Sequence, residues 1–128
     1  MSNADKLTEA FAAADKGDAS LLVDLYADDM TWAGFQADGT QTVFTKGQFL
    51  EAFGILAKLD EAKNEVVRTE ETPEGVVIAW IRAYRRKGDD VLDFTLVMTH
   101  QFLDGKVTRG ADMCPPSFGE YWKKLGLA

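Results

Sequence analysis

"HQFLDGKVTRGAD", residues 100–112, holds the chain's single histidine at one end, an aspartate at the other, and the turn signal Asp104-Gly105 between them. β-like runs flank that turn, so the stretch reads as a hairpin. Side chains alternate across a strand, and the turn therefore decides whether His100 and Asp112 share a face. A two-residue loop at Asp104-Gly105 pairs His100 with Arg109 and sends Asp112 to the other face. A three-residue loop, with Gly105 left-handed, pairs His100 with Thr108 and puts both residues on one face. The second arrangement is expected. If Asp112 then lies opposite Met98, it is diagonal to His100 at roughly 7–8 Å; if opposite Leu96, it is roughly 13 Å away.

Outward from this hairpin the chain divides into two textures. Toward the C-terminal half, "NEVVRTEE", "VVIAWIRAYRR", "DVLDFTLVMTHQFL" and "KVTRGADM" are β-rich runs separated by turn residues. Toward the N-terminus, Leu7, Phe11 and Ala14 make a helical stripe that Gly17 stops, and Asp18 suits the cap of a second helix. "MTWAGF" reads as a short strand and "ADGTQTVF" as a loop. Thr45 and Gln48 form a capping box for a third helix striped by Phe49, Phe53 and Leu56. Cys114-Pro115-Pro116 ends the last strand, and Ser117 with Glu120 gives a second capping box for a C-terminal helix. Helices followed by a meander predict an α+β domain spanning residues 1–128, with the helices on one face of a curved antiparallel sheet.

The stretches "GDASLLVDLYADDMTW", "TKGQFLEAFGIL" and "HQFLDGKVTRGADM" together resemble the SnoaL-like family of the nuclear transport factor 2-like superfamily. The resemblance covers nearly the whole chain. It implies a cone-shaped α+β barrel with N-terminal helices packed in the concave face of a strongly curved antiparallel sheet. It also implies a pocket in the open end and, in many members, pairing through the outer sheet face. Members include steroid isomerases, polyketide cyclases, an epoxide hydrolase, dehydratases, and proteins that only bind or scaffold, so the fold does not choose a function. Where the steroid isomerases place a tyrosine and two acids, this chain has Ala10, Gly34 and Met98 or Thr99, and the Arg-x-Asp pair of the epoxide hydrolases is absent. The polyketide cyclase arrangement, an aspartate on the last strand and a histidine on the one before, is matched by Asp112 and His100.

Side-chain parity then supplies candidate lining. Leu92, Phe94, Leu96, Met98, His100 and Phe102 fall on one face of their strand, and that face is apolar. On the preceding strand Trp80, Arg82 and Tyr84 alternate with the smaller Val77, Ala79, Ile81 and Ala83. The large set is expected to wall the pocket with Trp32, Phe49, Phe53 and Met98. The small set is expected to meet a second copy, together with Val107, Ala111 and Met113. In that pocket Asp112 would be a base or acid with a pKa raised by apolar surroundings, and His100 its partner. Arg82 would bind a carboxylate or enolate, with Tyr84 as an alternative. The residues equally allow a core histidine bonded to a backbone carbonyl, a surface aspartate and an Arg82 that reaches solvent.

A net charge of −7 argues against a nucleic-acid partner. No apolar run approaches a membrane span and no leader opens the chain, so a cytoplasmic, soluble protein is expected. One histidine and one cysteine make a metal site weak; neither a metal nor a cofactor is expected, and Cys114 is expected to be inert. The expected partners are a small apolar molecule, its polar handle a carbonyl or carboxylate, and a second copy of the chain. An isomerase, cyclase or dehydratase type of enzyme remains open beside a non-catalytic binding or dimerisation domain.

Overall fold

In a computed structural model, which describes residues 1–36 and 40–127, the helices come largely first and the long strands after them. Helix α1 (Asn3–Asp15) buries Leu7, Ala10 and Phe11. The Ser2 hydroxyl accepts the Asp5 N–H while the Asp5 carboxylate accepts the Ser2 N–H, a reciprocal cap. Gly17, at φ +97°, ends this turn as expected, and Asp18 Oδ1 accepts both the N–H and the hydroxyl of Ser20 at the start of α2 (Ser20–Leu25). Strand β1 (Tyr26–Phe35) pairs with β2 (Gln41–Thr45). The predicted loop at 37–44 is thus partly a strand: Phe44 faces inward opposite Trp32 while Val43 is exposed, an edge-strand alternation too short to read from sequence. The first residues of that loop, 37–39, lie outside the described residues.

Helix α3 (Lys46–Gly54) starts with the Thr45–Gln48 capping box and runs into a 3-10 turn at Ile55–Lys58. Four strands follow: β3 (Glu61–Glu71), β4 (Val76–Lys87), β5 (Asp90–Leu103) and β6 (Lys106–Met113). Helix α4 (Ser117–Lys124) closes the order, capped by Pro116 rather than by the predicted Ser117–Glu120 box. The Pro115 and Pro116 carbonyls already accept the Phe118 and Glu120 N–H groups, which draws Ser117 inside the helix.

The sheet runs β2-β1-β6-β5-β4-β3. It is mixed rather than wholly antiparallel, because β1 and β6 run parallel. The helices pack in its concave face, giving the cone-shaped α+β architecture. A buried cluster joins Leu7 and Phe11 of α1 to Val77, Ala79 and Ile81 of β4. A second joins Leu92 of β5 to Tyr121 and Trp122 of α4. No described helix is long and apolar enough to cross a membrane.

The hairpin differs from expectation in its mechanism. Leu103 pairs with Lys106, so the loop has two residues, and Asp104 (φ 52°) and Gly105 (φ 79°) are both left-handed. That is the turn Asp-Gly favours in isolation. Parity is then switched by a β-bulge: Phe102 pairs with Val107 but Gln101 with Arg109, leaving Thr108 as the extra residue. The Thr108 hydroxyl donates to the Gln101 carbonyl at 3.3 Å across the gap. Beyond the bulge His100 faces Gly110 and Met98 faces Asp112. His100 and Asp112 therefore share the concave face.

Two expectations about faces are corrected. Val77, Ala79, Ile81 and Ala83 are fully buried on the concave side, opposite His100, Met98, Leu96 and Phe94, and are not free to meet a second copy. Val77, Ala79 and Ile81 share a close-packed buried cluster with Leu7 and Phe11 of α1, which leaves little room for large side chains. Val107, on the near side of the bulge, is buried as well, so of the predicted outward trio only Ala111 and Met113 are convex.

Trp32 crosses β6 over Gly110, where an added Cβ would lie 2.2 Å from Trp32 Cζ3 and 2.6 Å from the Thr99 carbonyl oxygen. Gly110→Ala is expected to cost about 3 kcal/mol or more by overpacking against ring and backbone. Urea denaturation followed by tryptophan fluorescence measures it.

Candidate functional site

A cavity of about 780 Å³ opens between the two buried clusters. That is within the range for a site holding a drug-sized ligand, about 300–1,000 Å³. Trp32 of β1, Phe49 and Phe53 of α3, Leu96 and Met98 of β5, and Trp122 of α4 make its apolar wall. Each arrives there by the periodicity of its own element: Phe49 and Phe53 are four apart on α3, and Leu96 and Met98 two apart on β5.

Asp112 is the half-buried carboxylate in this wall. Its Oδ2 accepts the Trp32 indole N–H at 2.7 Å, and its Oδ1 accepts the Cys114 thiol at 3.7 Å. Asp112 and Cys114 are two residues apart, so an extended chain brings them to one side. Gly34 makes the room, because a Cβ there would lie 2.8 Å from Asp112 Oδ2. Burial raises the Asp112 pKa above its usual 3.8, while the indole and thiol bonds pull it back. Burial also pushes the Cys114 thiol well up, and Asp112 adds to that, so the sulfur serves as a donor and stays protonated. A carboxyl group oriented by two donors and shifted upward by an apolar cavity is equipped to take or give a proton.

His100 is placed differently from the expectation. It is fully buried and does not line the cavity. The rings of Trp32 (5.2 Å between centroids), Tyr26 (6.4 Å) and Phe102 (6.5 Å) enclose it. Its Nδ1 lies 3.4 Å from the Val77 carbonyl oxygen, the core-histidine bond that the residues also allowed. Burial lowers its pKa to about 4, so the imidazole is neutral at neutral pH. It makes no bond to Asp112, whose strand position opposite Met98 leaves it diagonal, roughly 7–8 Å off.

Trp80, Arg82 and Tyr84 are not in the cavity wall; they lie on the convex face. Arg82 is exposed and forks onto Asp93 at 3.1 and 2.7 Å. The Arg68 guanidinium lies 4.6 Å from the Trp80 ring centroid. Parity on β4 is thus the reverse of the one expected, and the inward set continues to Arg85, which lines the cavity and is almost wholly buried. Sequence reasoning did not single out Arg85. Its signal was the unbroken alternation Val77, Ala79, Ile81, Ala83, Arg85. No three His, Cys, Asp or Glu side chains cluster as metal donors among the described residues.

The chain shares its fold with two solved structures described as NTF2-like proteins, 14% and 12% identical to it over 96% and 88% of this chain, with TM-scores of 0.75 and 0.72. Among the most similar is Bal32a from a soil-derived mobile gene cassette, 20% identical over 94% of this chain and 95% of that one, with a TM-score of 0.82. IdmH, a candidate polyketide cyclase from Streptomyces antibioticus, is 15% identical over 98% and 99% of the two chains, with a TM-score of 0.79. TerC, co-crystallised with polyporic acid, is 15% identical over 94% and 98%, with a TM-score of 0.76. No family model matches the sequence, and no curated protein sequence does.

The depressed His100 pKa has a consequence for stability. Between about 4, its folded value, and 6.5, the ordinary one, the unfolded chain binds a proton that the folded chain refuses. The His100 contribution is therefore complete above pH ~6.5 and is lost as pH falls toward 4. Between pH ~7.5 and ~5 this residue is expected to cost the wild type about 2 kcal/mol. His100→Gln should flatten that limb in urea denaturation measured across the same pH range.

Proposed function

We propose that the cavity binds a small apolar molecule and that Asp112 performs acid/base chemistry on it. The observation that carries this reading is the Asp112 carboxyl group in the apolar wall, with one oxygen held by Trp32 and the other by Cys114. The ligand's reacting atom would be a carbon or oxygen acid beside a carbonyl, since a carboxylate of raised pKa suits proton abstraction there. His100 acts at one remove. Neutral and enclosed, it supports the ring of Trp32 and so the direction of the indole N–H. IdmH and TerC support a small-molecule ligand by fold only. A binding domain without proton transfer is the second reading, favoured by the absence of any bond between His100 and Asp112.

Deuterium exchange at the enolisable carbon of 2-tetralone, followed by proton NMR in D₂O, separates the two. Wild type is expected to accelerate exchange, and Asp112→Asn to lower the acceleration about 100-fold or more. Binding of the ketone with no acceleration would leave the binding-domain reading in its place.

The partner proposed for the convex face is a second copy. Trp80, Val97 and Met113 sit side by side across β4, β5 and β6, and Met113 is 64% exposed. Such a row suits a self-complementary contact. Light scattering should report a dimer, and Val97→Asp a monomer of unchanged circular dichroism.

A further inference from the structure

Two residues of the cavity wall, Arg85 and Trp122, each carry a buried N–H donor to which no acceptor comes among the described residues. Arg85 Nε and Trp122 Nε1 are both shielded from solvent and both unbonded. They come from different elements, β4 and α4, yet belong to one end of the cavity. Arg85 pairs across the sheet with Leu92, and Leu92 packs in the cluster that contains Trp122.

The guanidinium is otherwise held by neutral groups. Its Nη1 donates to the Lys63 and Tyr84 carbonyls at 2.9 and 3.0 Å, and its Nη2 to Asn64 Oδ1 at 2.8 Å. Asp15 stands one step behind, accepting the Asn64 N–H at 3.0 Å, and does not reach the guanidinium itself. Among the described residues no carboxylate forms an ion pair with Arg85. Burial lowers its pKa to about 10, which still leaves it charged at neutral pH. Asp15 attracts it from behind without bonding to it, and a buried cation without a carboxylate in contact keeps attraction for an anion, because little water screens it.

We infer that Arg85 and Trp122 form an oxyanion seat at the α4 end of the cavity, and that the ligand is an apolar ring compound bearing an ionised oxygen, a carboxylate or an enolate. This rests on the reading of the cavity as a ligand site and adds the ligand's charge. The seat supplies donors and Asp112 supplies an acceptor, so the cavity has polarity along its length. An acid with a fixed head would be held by its oxygen while its body lies along Phe53 and Met98 toward Asp112. The chain as a whole carries a charge of −7 and repels anions, so a preference for an anion must be local.

The test uses two fluorescent probes of the same body, 1-pyrenebutyrate and the neutral 1-pyrenebutanol, titrated at pH 7.5. Wild type is expected to bind the butyrate about tenfold or more tightly than the alcohol, the effect of one charge-assisted hydrogen bond. Arg85→Gln is expected to bring the two affinities within about twofold, and Trp122→Phe to reduce the gap between them. Circular dichroism verifies folding. Should Arg85→Gln not fold, Arg85→Lys, which keeps the charge and loses Nε, takes its place and is expected to narrow the gap. Equal binding of the two probes by wild type overturns the seat while leaving the cavity reading intact. A preference unchanged in the variants also overturns it. If neither probe binds, the ligand-site reading fails and the seat with it.

Discussion

A single extra residue, Thr108, decides what this cone contains. Val107 and Asp112 are five positions apart and would face opposite ways in a regular strand. With the bulge between them both face inward, Val107 against Phe102 and Asp112 against Met98. The Thr108 hydroxyl, donating to the Gln101 carbonyl, helps hold the slip where it is. A bulge also bends and twists its strand, so the feature that turns Asp112 inward contributes to the curvature that makes an inside. The Asp104-Gly105 turn sets only the starting register.

Two glycines on neighbouring strands then clear the path for one ring. Gly110 leaves space on β6 for the body of Trp32, and Gly34 leaves space on β1 for the carboxylate that its indole N–H reaches. Trp32 is in this sense the hinge of the site: one edge faces Asp112, and one face lies against His100. Gly34 on β1 leaves the volume, and the carboxylate beside it, Asp112, comes from the adjacent strand β6.

Element order, turn positions and the inward face of β5 were legible because they rest on local chemistry: glycines at left-handed positions, Thr45 with Gln48, and the alternation from Leu92 to Phe102. The face of β4 was not. Size separates Trp80, Arg82 and Tyr84 from Val77, Ala79, Ile81 and Ala83, but size alone does not say which set is inside. A pocket wall favours large residues, whereas a close-packed interior beside a helix favours small ones, and here Val77, Ala79 and Ile81 of the small set lie in the cluster with Leu7 and Phe11 of α1. Arg82 and Arg85 exchanged places for the same reason. The bulge was equally hidden: Asp-Gly announces a two-residue loop, and nothing in "KVTRGADM" says that Thr108 is passed over. The parity expected for His100 and Asp112 was reached through the wrong turn.

Burial acts on the two inner titratable groups in opposite senses for stability, although it disfavours the charged form of each. For His100 the folded pKa is below the ordinary one, so its stabilising effect is complete in neutral solution and disappears on acidification. For Asp112 the folded pKa is above the ordinary one, so its favourable contribution is present in acid and is lost as pH rises through the folded value. A site that needs Asp112 ionised therefore works on the side of its titration where the fold is strained by that charge. The neutral histidine behind Trp32 makes no charge pair that would lower the carboxyl pKa again. Had His100 been a charged partner in contact with Asp112, the carboxylate would be stabilised and a weaker base. Burial, with no charged partner in contact, is what raises the Asp112 pKa.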